Sequence, residues 1–120
     1  MKGKRTQKRR LGDKGERRTA RYLMLRGYRV LERNYTFGHK EIDLIVKRGR
    51  VIAFVEVKTR TASVVAPAAS VTSAKRRNVI TAAKAYLRSN PYSGCVIRFD
   101  ISEVPAKGPI NYIKNAFQGE

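Results

Sequence analysis

Two apolar runs rich in β-branched residues, separated by a short glycine turn, constrain the fold of this chain more than any other feature. The runs are residues 41–46 (EIDLIV) and residues 51–58 (VIAFVEVK), and the four residues between them include Gly49. Runs of this kind on either side of a glycine turn predict a β-hairpin. Both runs also contain carboxylates, which apolar strands seldom bury, so this hairpin is where chemistry is most expected.

The acids of the hairpin are Glu41, Asp43 and Glu56, three of the nine acidic residues in the chain. A carboxylate within a buried strand is costly unless a cation compensates it. If the turn is symmetric about residues 48 and 49, Glu41 lies directly opposite Glu56. Both acids then share one face of the hairpin with Asp43 and Lys58. The cluster predicts a metal site or, alternatively, a buried ion pair with Lys58 or an arginine.

Oxygen ligands without a Cys or His cluster select hard cations, so the expected cofactor is Mg²⁺ or Mn²⁺. The candidate ligands are Asp43, Glu56, the backbone carbonyl of Val57 and Glu41. Such an ion would polarise a phosphate and lower the pKa of an attacking water. Lys58 lies two residues beyond Glu56 on the same face. It is therefore expected to orient the nucleophile or to stabilise the charge that develops at phosphorus.

The charge balance of the chain indicates a polyanionic partner. Twenty-seven Lys and Arg residues stand against nine Asp and Glu residues among 120, a formal net charge of +18. Nucleic acid is the expected partner, because phosphate contacts by Lys and Arg release condensed counterions. A membrane surface is a weaker alternative, since tryptophan is absent and no apolar run is long enough to span a bilayer. One cysteine and one histidine exclude a Cys/His zinc site, and without a signal peptide the expected location is cytoplasmic.

The remaining pattern predicts two helices and further strands around the hairpin. The helices are expected over residues 13–26, with Asp13 as the cap, and over residues 73–89. Strands are expected over residues 28–35 and 94–104, and residues 110–117 are expected to form a short strand or helical turn. The order αβββαβ predicts an α/β fold in which helices flank a mixed central sheet.

The length of the chain suits one domain with one core. Residues 1–10 are predicted to be a disordered basic arm, which either lies along nucleic acid or only aids solubility. Residues 11–120 are predicted to form the single domain. Residues 61–71 consist mainly of Ala, Ser and Val with one proline, and they are predicted to be a mobile loop.

Glu16 and Glu41 each allow two interpretations. Glu16 is a carboxylate on the apolar stripe of the first predicted helix, where it is expected to complete the metal shell directly or through a water. The alternative is an ordinary acid in the first helical turn that interacts favourably with the helix dipole. Glu41 either tunes the metal site or pairs with Arg60. Asp100 alternates with apolar neighbours in the late strand and is expected to be structural.

Basic side chains outside the hairpin are expected to contact a nucleic-acid backbone. Those on the second helix form a basic face, for which an ordinary solvated helix surface is the alternative. The candidates are Lys40, Arg60, Lys75, Arg76, Arg77, Lys84, Arg17 and Arg18. The high net charge favours the nucleic-acid interpretation over the solvated surface.

The pattern D-x12-E-x-K, formed by Asp43, Glu56 and Lys58 with a helical glutamate upstream, resembles the PD-(D/E)xK superfamily of restriction-endonuclease-like folds. More closely, the chain resembles the small bacterial YraN-like family of predicted endonucleases, akin to archaeal Holliday junction resolvases. The likeness spans roughly residues 11–117. It is carried by residues 15–35 (GERRTARYLMLRGYRVLERNY), 40–46 (KEIDLIV), 54–60 (FVEVKTR), 75–77 (KRR), 82–87 (AAKAYL) and 96–101 (VIRFDI).

The resemblance implies a restriction-endonuclease-like αβββαβ core and a metal-dependent endonuclease acting on DNA, including branched or damaged structures. It implies that Asp43 and Glu56 are metal ligands, Lys58 the catalytic lysine and Glu16 the helix-borne acid. One departure is Lys40, which stands where the family commonly has glycine. Resolvase-like relatives act as dimers, so a homodimer is also an expectation, although the sequence shows no clear dimer face. The alternatives are a non-catalytic nucleic-acid-binding module and, more weakly, an RNA or ribosome-associated binder.

Overall fold

The computed structural model of the chain describes residues 7–59 and 72–119. Within them, two helices and five strands follow in the order α1 (Gln7–Met24), β1 (Arg29–Phe37), β2 (Lys40–Arg48), β3 (Val51–Thr59), α2 (Ser73–Ser89), β4 (Val96–Val104) and β5 (Asn111–Phe117). This order confirms the predicted αβββαβ core. The segment 110–117, predicted to be a short strand or a helical turn, forms the fifth strand, β5. Residues 1–6 of the predicted arm and the predicted loop 61–71 lie outside the described residues. No helix in the described ranges is both long and apolar enough to cross a lipid bilayer.

The first helix begins earlier than the sequence predicted. It starts at Gln7, so residues 7–10 are helical and Asp13 lies inside the helix instead of capping it. The added segment is rich in Gln, Lys and Arg, whose helix propensity is high enough to extend the helix past the expected cap. The helix ends at Met24, and Gly27, with φ of +90°, turns the chain towards β1.

The second helix has the predicted bounds, Ser73–Ser89. Thr72 caps its start, because the side-chain oxygen accepts a hydrogen bond from the backbone N–H of Lys75 at 3.1 Å. Asn90 ends it by donating its backbone N–H to the carbonyl of Tyr86 at 2.8 Å. The side chains that α2 buries are Val79, Ala82, Ala83, Ala85 and Tyr86. Three of these five are alanines, which allow the helix to lie close to the sheet.

The five strands form one mixed sheet in the order β1-β2-β3-β4-β5. The first three strands are antiparallel neighbours, β3 and β4 are parallel, and β5 returns antiparallel to β4. A parallel pair needs a crossover connection, and the segment that contains α2 supplies it. The strands predicted over residues 28–35 and 94–104 are thereby confirmed as β1 and β4, with ends shifted by one or two residues.

Successive side chains of β3 enter two different apolar cores. Ile52 and Phe54 pack with the buried residues of α2, whereas Ala53 and Val55 pack with those of α1. All four side chains are fully buried. Because side chains alternate across a strand, α1 and α2 must cover opposite faces of the sheet. Glu56 continues the series of Ile52 and Phe54, so it faces α2.

The turn between β2 and β3 is centred one position later than predicted. Arg48 pairs with Val51, so Gly49 and Arg50 form a two-residue turn in place of one centred between residues 48 and 49. Gly49 takes φ of +59°, a conformation that such hairpin turns require and that glycine adopts without strain. Shifting the centre by one position changes every cross-strand partner by two.

This shift corrects the predicted partners of the acids. The ladder ends with the pair Leu44–Val55, and its register, if continued, would set Asp43 and not Glu41 opposite Glu56. The predicted pairing of Glu41 with Glu56 is therefore wrong. Side chains alternate between the two faces of a strand. A shift of two residues in the pairing therefore does not by itself move a side chain to the other face.

Candidate active site

The candidate site lies where β2 and β3 separate, just beyond the pair Leu44–Val55, a place that we call the fork. Here the backbone N–H of Val57 donates a hydrogen bond of 2.8 Å to Oδ2 of Asp43. The carboxylate thus takes the position that a carbonyl of β2 would occupy in a regular ladder. The N–H and C=O of one strand residue point to the same neighbour, so the carbonyl of Val57 is also directed towards the fork.

The regular alternation of β2 is interrupted at this point. Ile42 and Ile45 both pack in the core beneath α2, although an odd number of residue steps separates them. Asp43 lies inside this irregular stretch, which allows its carboxylate to reach the backbone of β3. The prediction that the hairpin acids and Lys58 share one face therefore holds for Glu56 and Lys58. Asp43 instead lies in the gap between the strands.

The carboxylate of Glu56 is buried and only partly neutralised. Its side chain is 5% exposed, and Oε2 lies 3.1 Å from Nζ of Lys75 on α2. The other oxygen, Oε1, is buried and has no hydrogen-bond partner among the described residues. Burial raises the pKa of Glu56 above its usual value, although Lys75 and Lys58 both act to lower it. A buried oxygen without a partner is costly, so this atom is the strongest indication in the site of a partner that the described residues do not supply.

Asp43 is the most perturbed of these acids. Burial raises the pKa of its carboxyl well above the usual range, and the negative charge of Glu56 raises it further. The N–H of Val57 opposes this effect, whereas Glu16 and Glu41 add to it. Two neighbouring carboxylates in such a setting cannot both be ionised without a compensating positive charge. Either a proton or a cation is expected between them.

Glu16 reaches the fork from α1. Burial raises its pKa, while hydrogen bonds with the side chains of Asn34 and Asp43 lower it. Asn34 belongs to β1 and has φ of +51°, a left-handed conformation that asparagine tolerates better than most residues. Sequence reasoning missed Asn34, because one asparagine in a strand-like run gives no signal of its own.

A close approach of α1 to the end of β3 places Glu16 beside the fork. A Cβ added to Gly15 would overlap the methyl group of Thr59 and would lie 3.4 Å from the side chain of Val57. Glycine at this position therefore allows the helix to lie against the strand end. The pair Gly15–Glu16 is only a faint signal in the sequence, and the packing shows why the glycine is needed.

Lys58 and Glu41 complete the group. Lys58 is half-buried on β3, and alternation puts it on the face of Glu56, whose pKa it acts to lower. The charge of Glu41 acts to raise the pKa of Glu16, Asp43 and Glu56. The structure therefore brings together all five acids and bases proposed for catalysis or metal binding.

The donors at the fork suit a hard divalent cation better than a soft one. In residues 7–59 and 72–119, no three His, Cys, Asp or Glu side chains are grouped tightly enough to hold a metal ion by themselves. Magnesium does not require such a cage, because it commonly binds through one or two carboxylates and keeps several waters. The unpartnered oxygen of Glu56, the carboxylate of Asp43 and the carbonyl of Val57 fit that requirement.

Two of the basic residues proposed to bind nucleic acid are engaged inside the protein. Lys75 contacts Glu56 at the fork. Arg18 donates hydrogen bonds to the carbonyls of Pro105 and Gly108, at 3.0 and 2.9 Å, and so holds the connection between β4 and β5. Arg60 lies outside the described residues. Sequence reasoning had no means of separating the roles of Lys75 and Arg18, since both look like surface cations.

The other proposed basic residues are on the surface. Arg77 and Lys84 are exposed on α2, and Arg76, on the same helix, is partly buried. Arg17 is exposed on α1, and Lys40 begins β2 next to the β1–β2 turn. Arg76, Arg77 and Lys84 lie on α2, whereas Arg17 lies on α1, which covers the opposite face of the sheet.

Comparison with known proteins assigns the chain to a family. The model of the uncharacterised protein family UPF0102 matches residues 15–104, which include the acids and the lysine of the fork. A UPF0102 protein of Chlorobium chlorochromatii is 44% identical over 119 residues, covering 89% of this chain and 90% of its own. One from Caldicellulosiruptor saccharolyticus is 37% identical over 116 residues, covering 92% and 98%. The chain therefore belongs to the UPF0102 family, which is the YraN-like family that the sequence motifs indicated.

Proposed function

We propose that this protein is a metal-dependent endonuclease that hydrolyses phosphodiester bonds in DNA, with Mg²⁺ or Mn²⁺ as cofactor. The observation that supports this most directly is the carboxylate pair Asp43 and Glu56, with raised pKa values and an unpartnered buried oxygen. In a chain of net charge +18, acids that repel phosphate are useful mainly if a cation bridges them to it.

Each residue of the fork has a distinct role in this proposal. Asp43, Glu56 and the carbonyl of Val57 hold the ion, which when bound polarises the phosphate and makes water more acidic. Lys58 orients the attacking water or stabilises the negative charge that grows at phosphorus. Glu16, which lies close enough to Asp43 and Glu41 for their charges to interact, completes the metal shell directly or through a water. Glu41 adjusts the charge of the group.

The proposed substrate is DNA, including branched or damaged structures, and the proposed location is the cytoplasm. Exposed cations of α2, such as Arg77 and Lys84, supply affinity that does not depend on sequence. A homodimer would allow two such sites to cut two strands of a branched substrate.

A non-catalytic nucleic-acid-binding module is the second candidate. The ion pair between Lys75 and Glu56 supports it, because Lys75 already neutralises part of the acidic group. In that case, the bond between Asp43 and Val57 would simply join two strands where the ladder ends.

A cleavage assay distinguishes the two candidates. Linear, flapped and four-way-junction DNA would be incubated with Mg²⁺ or Mn²⁺ and the wild-type protein, Asp43→Asn, Glu56→Gln or Lys58→Met. Each substitution is expected to lower the cleavage rate by roughly 100-fold or more, since metal ligands and charge-stabilising groups contribute effects of that order. Glu32→Gln, an exposed acid on β1, is the matched control and is expected to cleave like the wild type.

The possible outcomes of these measurements distinguish a nuclease from a binding module. Cleavage that survives in all three fork variants would assign the activity to a contaminant. DNA binding without cleavage by the wild type under any of these conditions would favour the binding module. A rise in melting temperature with Mg²⁺ or Mn²⁺ that Glu56→Gln abolishes would support the metal site independently of activity.

A further inference from the structure

A basic groove of about 770 Å³ runs along α2 beside the end of β5. Its side chains from α2 recur every three or four residues, so they lie on one face of the helix. The principal polar residues of this face are Ser73, Arg76, Arg77, Thr81 and Lys84, and Phe117 of β5 forms part of the opposite wall. None of the described residues that line the groove is acidic.

Arg76 has an unsatisfied donor in this groove. Its Nε is buried and has no hydrogen-bond partner among the described residues. The guanidinium carbon lies 5.5 Å from the centre of the Phe117 ring, which itself stacks on Phe99 with ring centres 5.2 Å apart. The aromatic contact stabilises the cation but does not accept the Nε–H. An unpaired buried donor of this kind costs about 1–3 kcal/mol, so an acceptor that the described residues do not supply is expected.

The groove and the fork share the first turn of α2. Lys75 points to Glu56 at the fork, and the next residue, Arg76, lines the groove. Consecutive residues of a helix are rotated by about 100°, so the two side chains diverge from one point of the backbone. A strand bound in the groove would therefore lie beside the carboxylates and not at a remote surface.

We propose that this groove is a phosphodiester-binding site that holds one strand of nucleic acid next to the fork. Arg76 is the principal contact, because the planar donors of a guanidinium match the oxygens of a phosphate. Arg77 and Lys84 follow along the same face. From residue 73 to residue 84 the helix rises about 16 Å, which corresponds to roughly five phosphates of one duplex strand.

This inference rests on the proposed nucleic-acid substrate but not on catalysis, so its test omits divalent metal. The full-length protein would bind a fluorescent single-stranded oligonucleotide and the matching duplex in EDTA, at several salt concentrations, with anisotropy as the readout. Arg76→Met keeps the apolar stem and removes the donors. It is expected to weaken binding about tenfold and to reduce the salt dependence by about one phosphate contact.

Arg88→Met is the matched control. Arg88 is exposed on the same helix but does not line the groove, so its loss changes the net charge equally and is expected to change binding less than about twofold. Arg77→Met tests the groove without touching the Phe117 contact, in case Arg76→Met fails to fold. It is expected to weaken binding several-fold.

Three results would overturn the proposal. Equal losses in Arg76→Met and Arg88→Met would show that only net charge matters. If Arg76→Met and Arg77→Met both fold and both bind the oligonucleotide as the wild type does, the groove is excluded as the binding site. If millimolar inorganic phosphate raised the melting temperature of the wild type but not that of Arg76→Met, and the oligonucleotide did not compete with that phosphate, the groove would be a site for small anions instead. If the wild type binds through the groove in EDTA but does not cleave DNA with Mg²⁺ or Mn²⁺, only the proposed nuclease activity is contradicted.

Discussion

Two buried carboxylates on neighbouring strands of this sheet have opposite surroundings. Asp100 on β4 is fully buried, and every hydrogen-bonding position around it is used. Arg98 donates to both of its oxygens at 2.9–3.1 Å, Tyr112 donates its hydroxyl at 2.6 Å, and the backbone N–H of Asn115 donates at 2.8 Å. Glu56 on β3 has one partner, Lys75, and a buried oxygen that has none among the described residues.

The contrast shows that the fold can satisfy a buried carboxylate when the carboxylate belongs to the core. The Asp100 cluster ties β4 to β5 and, through the bond of Arg98 with the Tyr28 hydroxyl, to the segment after α1. Burial and the charge of Asp100 raise the pKa of Tyr112, which keeps its hydroxyl a donor. At the fork, one oxygen of the Glu56 carboxylate has no partner among the residues that the structure describes. Such local departures from good packing are expected at functional sites, where a ligand from outside completes the bonds.

The largest expected effect is on the stability of the protein when Asp100, the carboxylate with a full set of partners, is replaced. Asp100→Ala leaves Arg98 and Tyr112 without their acceptor, and it is expected to lower the free energy of unfolding by about 3–5 kcal/mol. Chemical denaturation would measure the loss, with Glu32→Ala as the control on an exposed acid. A loss below about 1 kcal/mol would mean that the Asp100 cluster is not a structural centre.

A pH series tests the other half. The raised pKa of Asp43 means that the folded protein holds a proton more tightly than the unfolded chain. Its contribution to stability is therefore present at low pH and is lost as pH rises from the unfolded value of about 4 through the raised folded value. In EDTA, Asp43→Asn is expected to be more stable than the wild type at pH 8 by about 1 kcal/mol, and equal to it at pH 3.

Glu103→Gln serves as the control for that series, because Glu103 is paired with Asn111 and belongs to neither cluster. Thermal unfolding in EDTA at each pH would give the values. If Asp43→Asn were less stable than the wild type at pH 8, the carboxylate would be a structural partner of Val57 and the contrast with Asp100 would disappear.

The last expected effect, similar in size to that of Asp43→Asn, concerns Lys75. Because Lys75 and a divalent ion would neutralise the same carboxylate, Lys75→Met is expected to strengthen Mn²⁺ binding by about fivefold, roughly 1 kcal/mol. Calorimetric titration would measure this, with Lys114→Met on β5 as a control of equal charge. Weaker Mn²⁺ binding in Lys75→Met would instead show that the lysine helps to shape the metal site.

Much of this fold can be predicted from the sequence, because its elements depend on local patterns. The bounds of α2 follow from an apolar stripe that ends at Asn90 and Pro91. The β2–β3 hairpin follows from two β-branched runs around Gly49. The acids of the fork can also be identified from the sequence. A carboxylate is costly to bury, and the apolar residues on either side of each acid show that its strand is buried.

The sequence by itself determined the order of the elements and the identity of the acids, but it did not determine how they meet. Only the tertiary structure showed that Asp43 bonds the backbone of Val57, that Lys75 lies on Glu56, and that Asn34 and Gly15 bring the Glu16 carboxylate to the fork. The physical reason is that these contacts join segments far apart in the chain. Their geometry depends on which turn residue takes positive φ and on where a strand leaves its ladder, and neither leaves a periodic trace in the sequence.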